Sequence, residues 1–69
     1  MESKVAVFLQ AQREESEDLY SVKELLEMMS IELEDILLLK SALERLVDDK
    51  KVLRKINKRC AWYRWKAEL

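Results

Sequence analysis

Residues 50–66 combine basic and aromatic side chains in one short segment. Eight basic residues lie in it: Lys50, Lys51, Arg54, Lys55, Lys58, Arg59, Arg64 and Lys66. Three aromatic residues accompany them: Trp62, Tyr63 and Trp65. Ammonium and guanidinium groups bind phosphates and release counterions, while aromatic rings can stack on nucleotide bases. The segment therefore predicts contact with a nucleic acid, although the same aromatic residues are also typical of a terminal strand that packs on a core.

The acidic and basic residues are divided between the two halves of the chain. Residues 1–35 contain ten acidic and three basic side chains, whereas residues 36–69 contain four acidic and ten basic ones. The two halves carry net charges of −7 and +6, although the whole chain has a net charge of only −1. Local fields matter more to a partner than the total charge. The basic half predicts a nucleic-acid partner or, alternatively, a solvated surface that balances the chain's own acidic half.

The composition lacks the residues on which most catalytic and metal sites depend. The 69 residues include no Gly, no Pro and no His. Without glycine the chain has no phosphate-cradling loop, and without histidine it lacks the commonest general base and metal ligand. The single cysteine, Cys60, cannot form an internal disulfide or a zinc cluster. We therefore expect a protein that is not an enzyme and that has no cofactor, metal or small-molecule ligand.

The length and hydrophobicity predict one small domain over residues 1–69. Hydrophobic residues make up 49% of the chain and charged residues 39%, which is too apolar for a disordered chain and too charged for a membrane span. No segment supplies the ~20 consecutive apolar residues that cross a bilayer, and no cleavable leader pattern opens the sequence. We therefore expect a cytoplasmic protein with no membrane partner.

Hydrophobic spacing and capping signals predict three helices. Val5, Phe8 and Leu9 form an apolar stripe on a helix from Ser3 to about Arg13, and an acidic connection follows. Ser21 and Glu24 form a capping box ahead of a second helix over 22–29.

A third helix is predicted from about Glu32 to Asp48, and Ser30 is a polar break after the second helix that can cap another helix. The predicted buried face of this helix is broad and consists of Leu33, Ile36, Leu37, Leu39, Leu43, Leu46 and Val47. Two short helices that meet at a turn without Gly or Pro predict a helix-turn-helix.

Residues 52–65 admit two interpretations. In the first, Val52–Ile56 and Trp62–Trp65 form a hairpin, and Asn57 takes the positive φ of its turn. In the second, one long helix continues from the third helix along a seam with a spacing of three and four residues, giving an all-α bundle or coiled coil. We favour the hairpin because residues 48–51 place four charges where that seam would have to continue. The predicted fold is thus mainly α with a small β-hairpin.

The order helix, short strand, helix, helix, hairpin resembles the small winged helix-turn-helix regulators of bacterial fimbrial operons, phages and plasmids. SVKELLEMMS is similar to the first helix and turn of their motif, SALERLVDDKKVLRK to the recognition helix and first wing strand, and AWYRWK to the returning strand. The resemblance covers residues 3–66. The glycine usual in the helix turn is replaced near Ser30, and the one usual before the wing is replaced at Lys50 or Lys51.

The resemblance implies a transcriptional regulator that places the third helix (32–48) in the major groove of DNA and the basic wing (52–65) on the phosphate backbone. The expected DNA-binding residues are Lys40, Ser41 and Arg45 on the helix and Arg54, Lys55, Lys58 and Arg59 on the wing. Arg45 is the best candidate for reading guanine. One small module offers little contact area, so a homodimer or a second regulatory protein is expected to contribute to specificity.

The acidic start of the third helix favours a different function. Glu32, Glu34 and Asp35 complement the helix dipole but would be repelled by DNA phosphates. A winged-helix module that binds a protein, or that inhibits a partner associated with nucleic acid, is therefore the alternative.

Overall fold

The computed structural model describes residues 1–66 and contains three α-helices and a three-stranded antiparallel sheet. Its elements are α1 (Glu2–Glu15), β1 (Tyr20–Ser21), α2 (Val22–Met28), a 3-10 turn (Leu33–Asp35), α3 (Ile36–Asp48), β2 (Val52–Asn57) and β3 (Cys60–Trp65). This mixed α/β architecture is compatible with helices followed by a hairpin wing. No helix within residues 1–66 is long and apolar enough to cross a membrane.

The β2–β3 hairpin is present, and the alternative of one continuous helix is wrong. The strands are antiparallel, and β1 pairs with the other edge of β3, which gives the order β1-β3-β2. Arg54 lies opposite Tyr63, and Lys55 lies opposite Trp62. Opposed residues share a face of the sheet and successive residues alternate between faces. Arg54 is therefore on the face of the buried Tyr63, while Lys55 and Trp62 are on the outer face.

The turn of this hairpin differs from the prediction at one position. Lys58 and Arg59, with φ of 51° and 69°, occupy the left-handed region, and Asn57 does not. Asn57 instead pairs with Cys60 as the last residue of β2. A two-residue loop whose central residues both have positive φ matches the right-handed twist of the strands, so the two basic residues take the positions that Asn and Gly usually occupy.

One hydrophobic core joins the three helices to the hairpin. Its buried residues are Val5 and Leu9 of α1, Leu25 of α2, Leu39, Ala42, Leu43 and Leu46 of α3, Val52 of β2 and Tyr63 of β3. None of the described polar or charged residues is buried. Because every long element contributes to this cluster, the hairpin is held against the helices by packing as well as by its strand pairing with β1.

The predicted capping box at the start of α2 is confirmed. The backbone N–H of Glu24 donates to the Ser21 Oγ at 3.2 Å, and the backbone N–H of Ser21 donates to the Glu24 Oε1 at 3.1 Å. Two backbone donors that the helix itself leaves unpaired are satisfied in this way. The box fixes the point at which the chain turns from β1 into α2.

Ser30 ends α2 instead of capping the next helix, so the capping role considered for it is wrong. Its φ is 55°, whereas an N-cap residue takes an extended conformation. The Ser30 N–H donates to the Glu27 carbonyl at 3.3 Å, and the Ile31 N–H donates to the Leu26 carbonyl at 2.9 Å. These two bonds form a Schellman motif, which normally places glycine where Ser30 stands.

Lys50 closes α3 by the same motif. Its φ is 63°, its N–H donates to the Val47 carbonyl, and the Lys51 N–H donates to the Leu46 carbonyl, both at 2.9 Å. Lys50, and not Lys51, therefore stands at the position where the resemblance expected a glycine. The motif reverses the chain so that β2 begins at once and Val52 enters the core.

The start of the third helix differs from the prediction. Residues 33–35 form a 3-10 turn, and the α-helix begins at Ile36. Leu33 and Leu37, predicted to be buried, are each 72% exposed. The buried stripe is narrower than predicted and includes Ala42, because α3 packs on α1, α2 and the hairpin along one side only.

Candidate nucleic-acid interface

A shallow groove between α2, α3 and the hairpin collects basic side chains from three elements. We call it the basic groove. It has a volume of about 570 Å³ and includes Lys23 of α2, Lys40 of α3, Arg54 of β2 and Arg59 of the turn. One acidic side chain, Glu44 of α3, also lines it. The groove brings together groups that are far apart in the chain and that share one charge sign.

The positions of the secondary-structure elements explain why these four side chains lie around one groove. Lys23 lies within the capping box in the first turn of α2, and β1, which directly precedes α2, pairs with β3. Arg54 lies on the same face of the hairpin as Tyr63, a residue that is only 7% exposed. Lys40 follows the buried Leu39 on α3. Packing of the core therefore presents the cations at the edges of the three elements.

The four cations of the basic groove make no ion pair with a carboxylate of residues 1–66. The two ion pairs within this range involve other residues. Lys23, Lys40, Arg54 and Arg59 are all exposed. Unpaired cations that line one groove raise the local positive potential, which attracts a polyanion.

Arg45 lies away from the basic groove. Its Nε is 3.8 Å from the Glu2 Oε1 at the start of α1, and its side chain is 77% exposed. At 100° per residue it is about 140° around α3 from Lys40. The predicted reader of guanine is thus on the α1 side of the helix and does not line the basic groove with Arg54 and Arg59.

The remaining predicted DNA-binding residues are divided between surfaces. Ser41 is exposed on α3, and Lys58 is exposed in the hairpin turn. Lys55 is on the outer face of the hairpin, in a second groove that also contains the acidic Asp18 and Glu24. Of the seven predicted residues, the basic groove therefore contains three: Lys40, Arg54 and Arg59.

The aromatic residues of β3 are mainly structural. Tyr63 belongs to the core, and Trp65 is packed against it. Trp62 is half-buried and borders both the basic groove and the groove of Lys55. Tyr63 also lines the basic groove, but Trp62 is the more exposed of the two rings.

Arg64 has a structural role. It is half-buried, and its Nη1 donates to the Glu17 carbonyl at 3.3 Å and lies 3.7 Å from the Glu17 Oε1. These contacts hold the segment between α1 and β1 against the outer face of the hairpin. The guanidinium is therefore engaged within the protein and is not part of the candidate interface.

Lys23 is the basic-groove residue that the sequence analysis missed. It sits in the acidic half of the chain, between Val22 and Glu24, and no local pattern distinguishes it from an ordinary solvated helix residue. Only the pairing of β1 with β3 brings it next to the hairpin. A two-residue strand leaves too short a pattern to predict its partner.

Within the part of the chain that the structure describes, no group of three or more Cys, Asp or Glu side chains could hold a metal ion. No protein-family model matches this chain, and no curated protein or solved structure matches it either.

Proposed function

We propose that this protein is a winged-helix transcriptional regulator that binds double-stranded DNA through its basic groove and hairpin turn. The observation that carries the proposal is the convergence of Lys23, Lys40, Arg54 and Arg59 on one groove without an ion-pair partner among residues 1–66. The order of helices and strands is compatible with the winged helix-turn-helix arrangement that the sequence resembles.

The hairpin is the element best suited to hold phosphates. Its turn residues Lys58 and Arg59 are exposed, and Arg54 points to the same groove as Arg59. Contacts of this kind release counterions and set the register of the protein on the duplex. In the proposed complex the turn lies against the DNA backbone, and Lys40 of α3 reaches a neighbouring phosphate or base edge.

Base reading by α3 would be restricted to its middle. The first turn of α3 exposes Leu37, and the 3-10 turn before it carries Glu34. An exposed leucine and a carboxylate make this end of the helix a poor surface for the major groove. Lys40 and Ser41 can donate to base acceptors, and Glu44 can accept from the cytosine amino group. The proposed complex therefore draws most of its affinity from phosphate contacts.

The test compares salt dependence in matched hairpin variants. Binding to a short mixed-sequence DNA duplex is measured by fluorescence anisotropy at several salt concentrations. The variant with Arg54→Ala and Arg59→Ala should make the negative slope of log affinity against log salt shallower by about 2, since each lost phosphate contact reduces its magnitude by about 1.

Lys55→Ala is the matched control, because Lys55 neighbours Arg54 in β2 but lies on the opposite face of the hairpin. We expect it to leave the slope almost unchanged. An unchanged slope in the Arg54 and Arg59 variant, or no binding by the wild-type chain at low salt, would refute the proposal.

A protein-binding module is the second candidate function, and a specific observation favours it. Leu33 and Leu37 are exposed beside Glu32 and Glu34 at the start of the third helix. Exposed apolar residues with an acidic rim are typical of a contact with a basic protein surface. In this case DNA would bind weakly, and binding would be insensitive to the Arg54 and Arg59 substitutions.

A further inference from the structure

Three apolar side chains are exposed together at the start of the third helix. Leu33 and Leu37 are 72% exposed, and Leu38 is 56% exposed. We call these three residues the leucine surface. Glu32 and Glu34, both exposed, lie beside it. Scattered apolar residues are normal on a protein surface, but three within six positions, with an acidic border, form a patch that a partner would cover.

The end of the hairpin has the opposite composition. Ile56 is 70% exposed. Arg54 lies on the same face of β2 as Ile56, Lys55 lies between them on the opposite face, and Lys58 and Arg59 follow in the turn, all exposed. We call residues 54–59 the hairpin end. It presents an apolar centre with a basic border, whereas the leucine surface presents an apolar centre with an acidic border.

We propose that the hairpin end of one copy of this chain packs on the leucine surface of a second copy. Ile56 would contact Leu33 and Leu37, while the basic residues of the hairpin end would lie beside Glu32 and Glu34. Complementary charge around an apolar contact accelerates encounter and fixes orientation. The same chain supplies both complementary surfaces, so a second copy of it is a sufficient partner.

In the proposed dimer the two copies exchange both contacts at once. Lys23 of α2 lines the groove that contains Leu33 and also the basic groove that contains Arg54. The two surfaces therefore flank the same part of α2. A two-fold axis would place each hairpin end on the other copy's leucine surface, and this doubles the contact and closes the assembly as a dimer.

The proposed contact is small and therefore reversible. Each half of it is centred on one isoleucine and a few leucines, well below the surface of a permanent dimer. Arg59 and Arg54 belong both to the hairpin end and to the basic groove, so DNA and the second copy would compete for them. The contact itself does not depend on DNA binding and is measured without DNA.

The experiment is sedimentation of the full chain over a range of protein concentrations at low salt. We expect the average mass to rise from monomer towards dimer with concentration and to fall when salt is added, since salt screens the borders of the contact. A monomer at every concentration overturns the proposal.

Charge reversal identifies the two surfaces. The α3 variant carries Glu32→Lys and Glu34→Lys, and the hairpin variant carries Lys58→Glu and Arg59→Glu, which changes both residues of the turn. Each alone should associate at least about tenfold more weakly than wild type, because like charges then face each other across both contacts. A mixture of the two should recover association, because each altered surface then meets its complement in the other variant.

Recovery in the mixture also demonstrates that both variants are folded. The matched control is Glu14→Lys with Glu15→Lys, which makes the same change in net charge at the exposed end of α1, and it should associate like wild type. Wild-type association by the hairpin variant alone would mean that the leucine surfaces pair with each other, and this overturns the proposal. These measurements contain no DNA, so their outcome is independent of the DNA-binding test.

Discussion

At the scale of single residues, the chain makes left-handed turns without glycine. Ser30, Lys50, Lys58 and Arg59 all have positive φ between 51° and 69°. A residue with a Cβ pays roughly 1–2 kcal/mol in this region, since the Cβ crowds the following carbonyl. All four are exposed, so their side chains suffer no further cost from packing. Two of them close helices, and the other two form the hairpin turn that carries the proposed phosphate contacts.

Ser30→Gly is expected to stabilise the protein. Relief of the left-handed conformation exceeds the extra backbone entropy of glycine in the unfolded chain, and the net gain should be about 0.5–1 kcal/mol. Urea denaturation of the two proteins measures it as a change in the free energy of unfolding.

Ser41→Gly provides the matched control for this prediction. Ser41 is exposed in the middle of α3, where glycine lowers helix stability by about half a kcal/mol relative to serine. The same substitution should thus have opposite signs at the two positions. A loss of stability in Ser30→Gly would show that Ser30 does not adopt the left-handed conformation in solution.

At the scale of elements, one run of leucines in α3 contributes both to the buried core and to the exposed leucine surface. Leu39 is completely buried, whereas Leu37 and Leu38 are exposed. The hydrophobic pattern of residues 36–39 is continuous and does not distinguish the two sides. The helix buries the side toward α1, α2 and the hairpin. Lys40 lies at the edge of that side, where it lines the basic groove, and Leu37 lies on the opposite side at the leucine surface.

Leu39→Ala and Leu37→Ala should differ strongly in their effect on the free energy of unfolding, because one side chain is buried and the other is exposed. We expect Leu39→Ala to destabilise the protein by about 2–5 kcal/mol, since it removes buried methyl groups and leaves a cavity. Leu37→Ala should change the free energy of unfolding by no more than about 0.5 kcal/mol, as is usual for exposed positions.

Chemical denaturation of both variants at low protein concentration measures the two effects without a contribution from self-association. Equal losses of stability would mean that α3 is rotated about its axis relative to the arrangement described above. Such a rotation would also remove Lys40 from the basic groove.

At the scale of the whole molecule, residues 1–66 share one core. The cluster includes side chains from α1, α2, α3 and both long strands. Small domains with a single core usually unfold in one cooperative step. The basic groove depends on this unity, because its four cations come from α2, α3 and the hairpin and are brought together only by the core.

We therefore expect helices and hairpin to unfold together. Fluorescence of Trp62 and Trp65 reports on β3, and far-ultraviolet circular dichroism reports mainly on the helices. The two probes should give the same urea midpoint and the same slope. A fluorescence midpoint at clearly lower urea would show that the hairpin detaches before the helices melt, and the basic groove would then not be a rigid site.

Local chemistry in the sequence is sufficient to predict several elements. The capping box at Ser21, the three helices and the hairpin over residues 52–65 are all predicted and all present. Each depends on neighbours within a few positions: a hydroxyl and a carboxylate three residues apart, apolar residues at helical spacing, or strand formers around a turn.

Tertiary structure decided which face of each element is used. The exposure of Leu33 and Leu37, the role of Lys23 and the separation of Arg45 from Arg54 depend on how α3 sits against α1 and on the pairing of β1 with β3. A sequence pattern gives the period of a helix or strand, whereas the partners that cover each face are contributed by segments far away in the chain. The distribution of charge is therefore a property of the sequence, and the basic groove is a property of the fold.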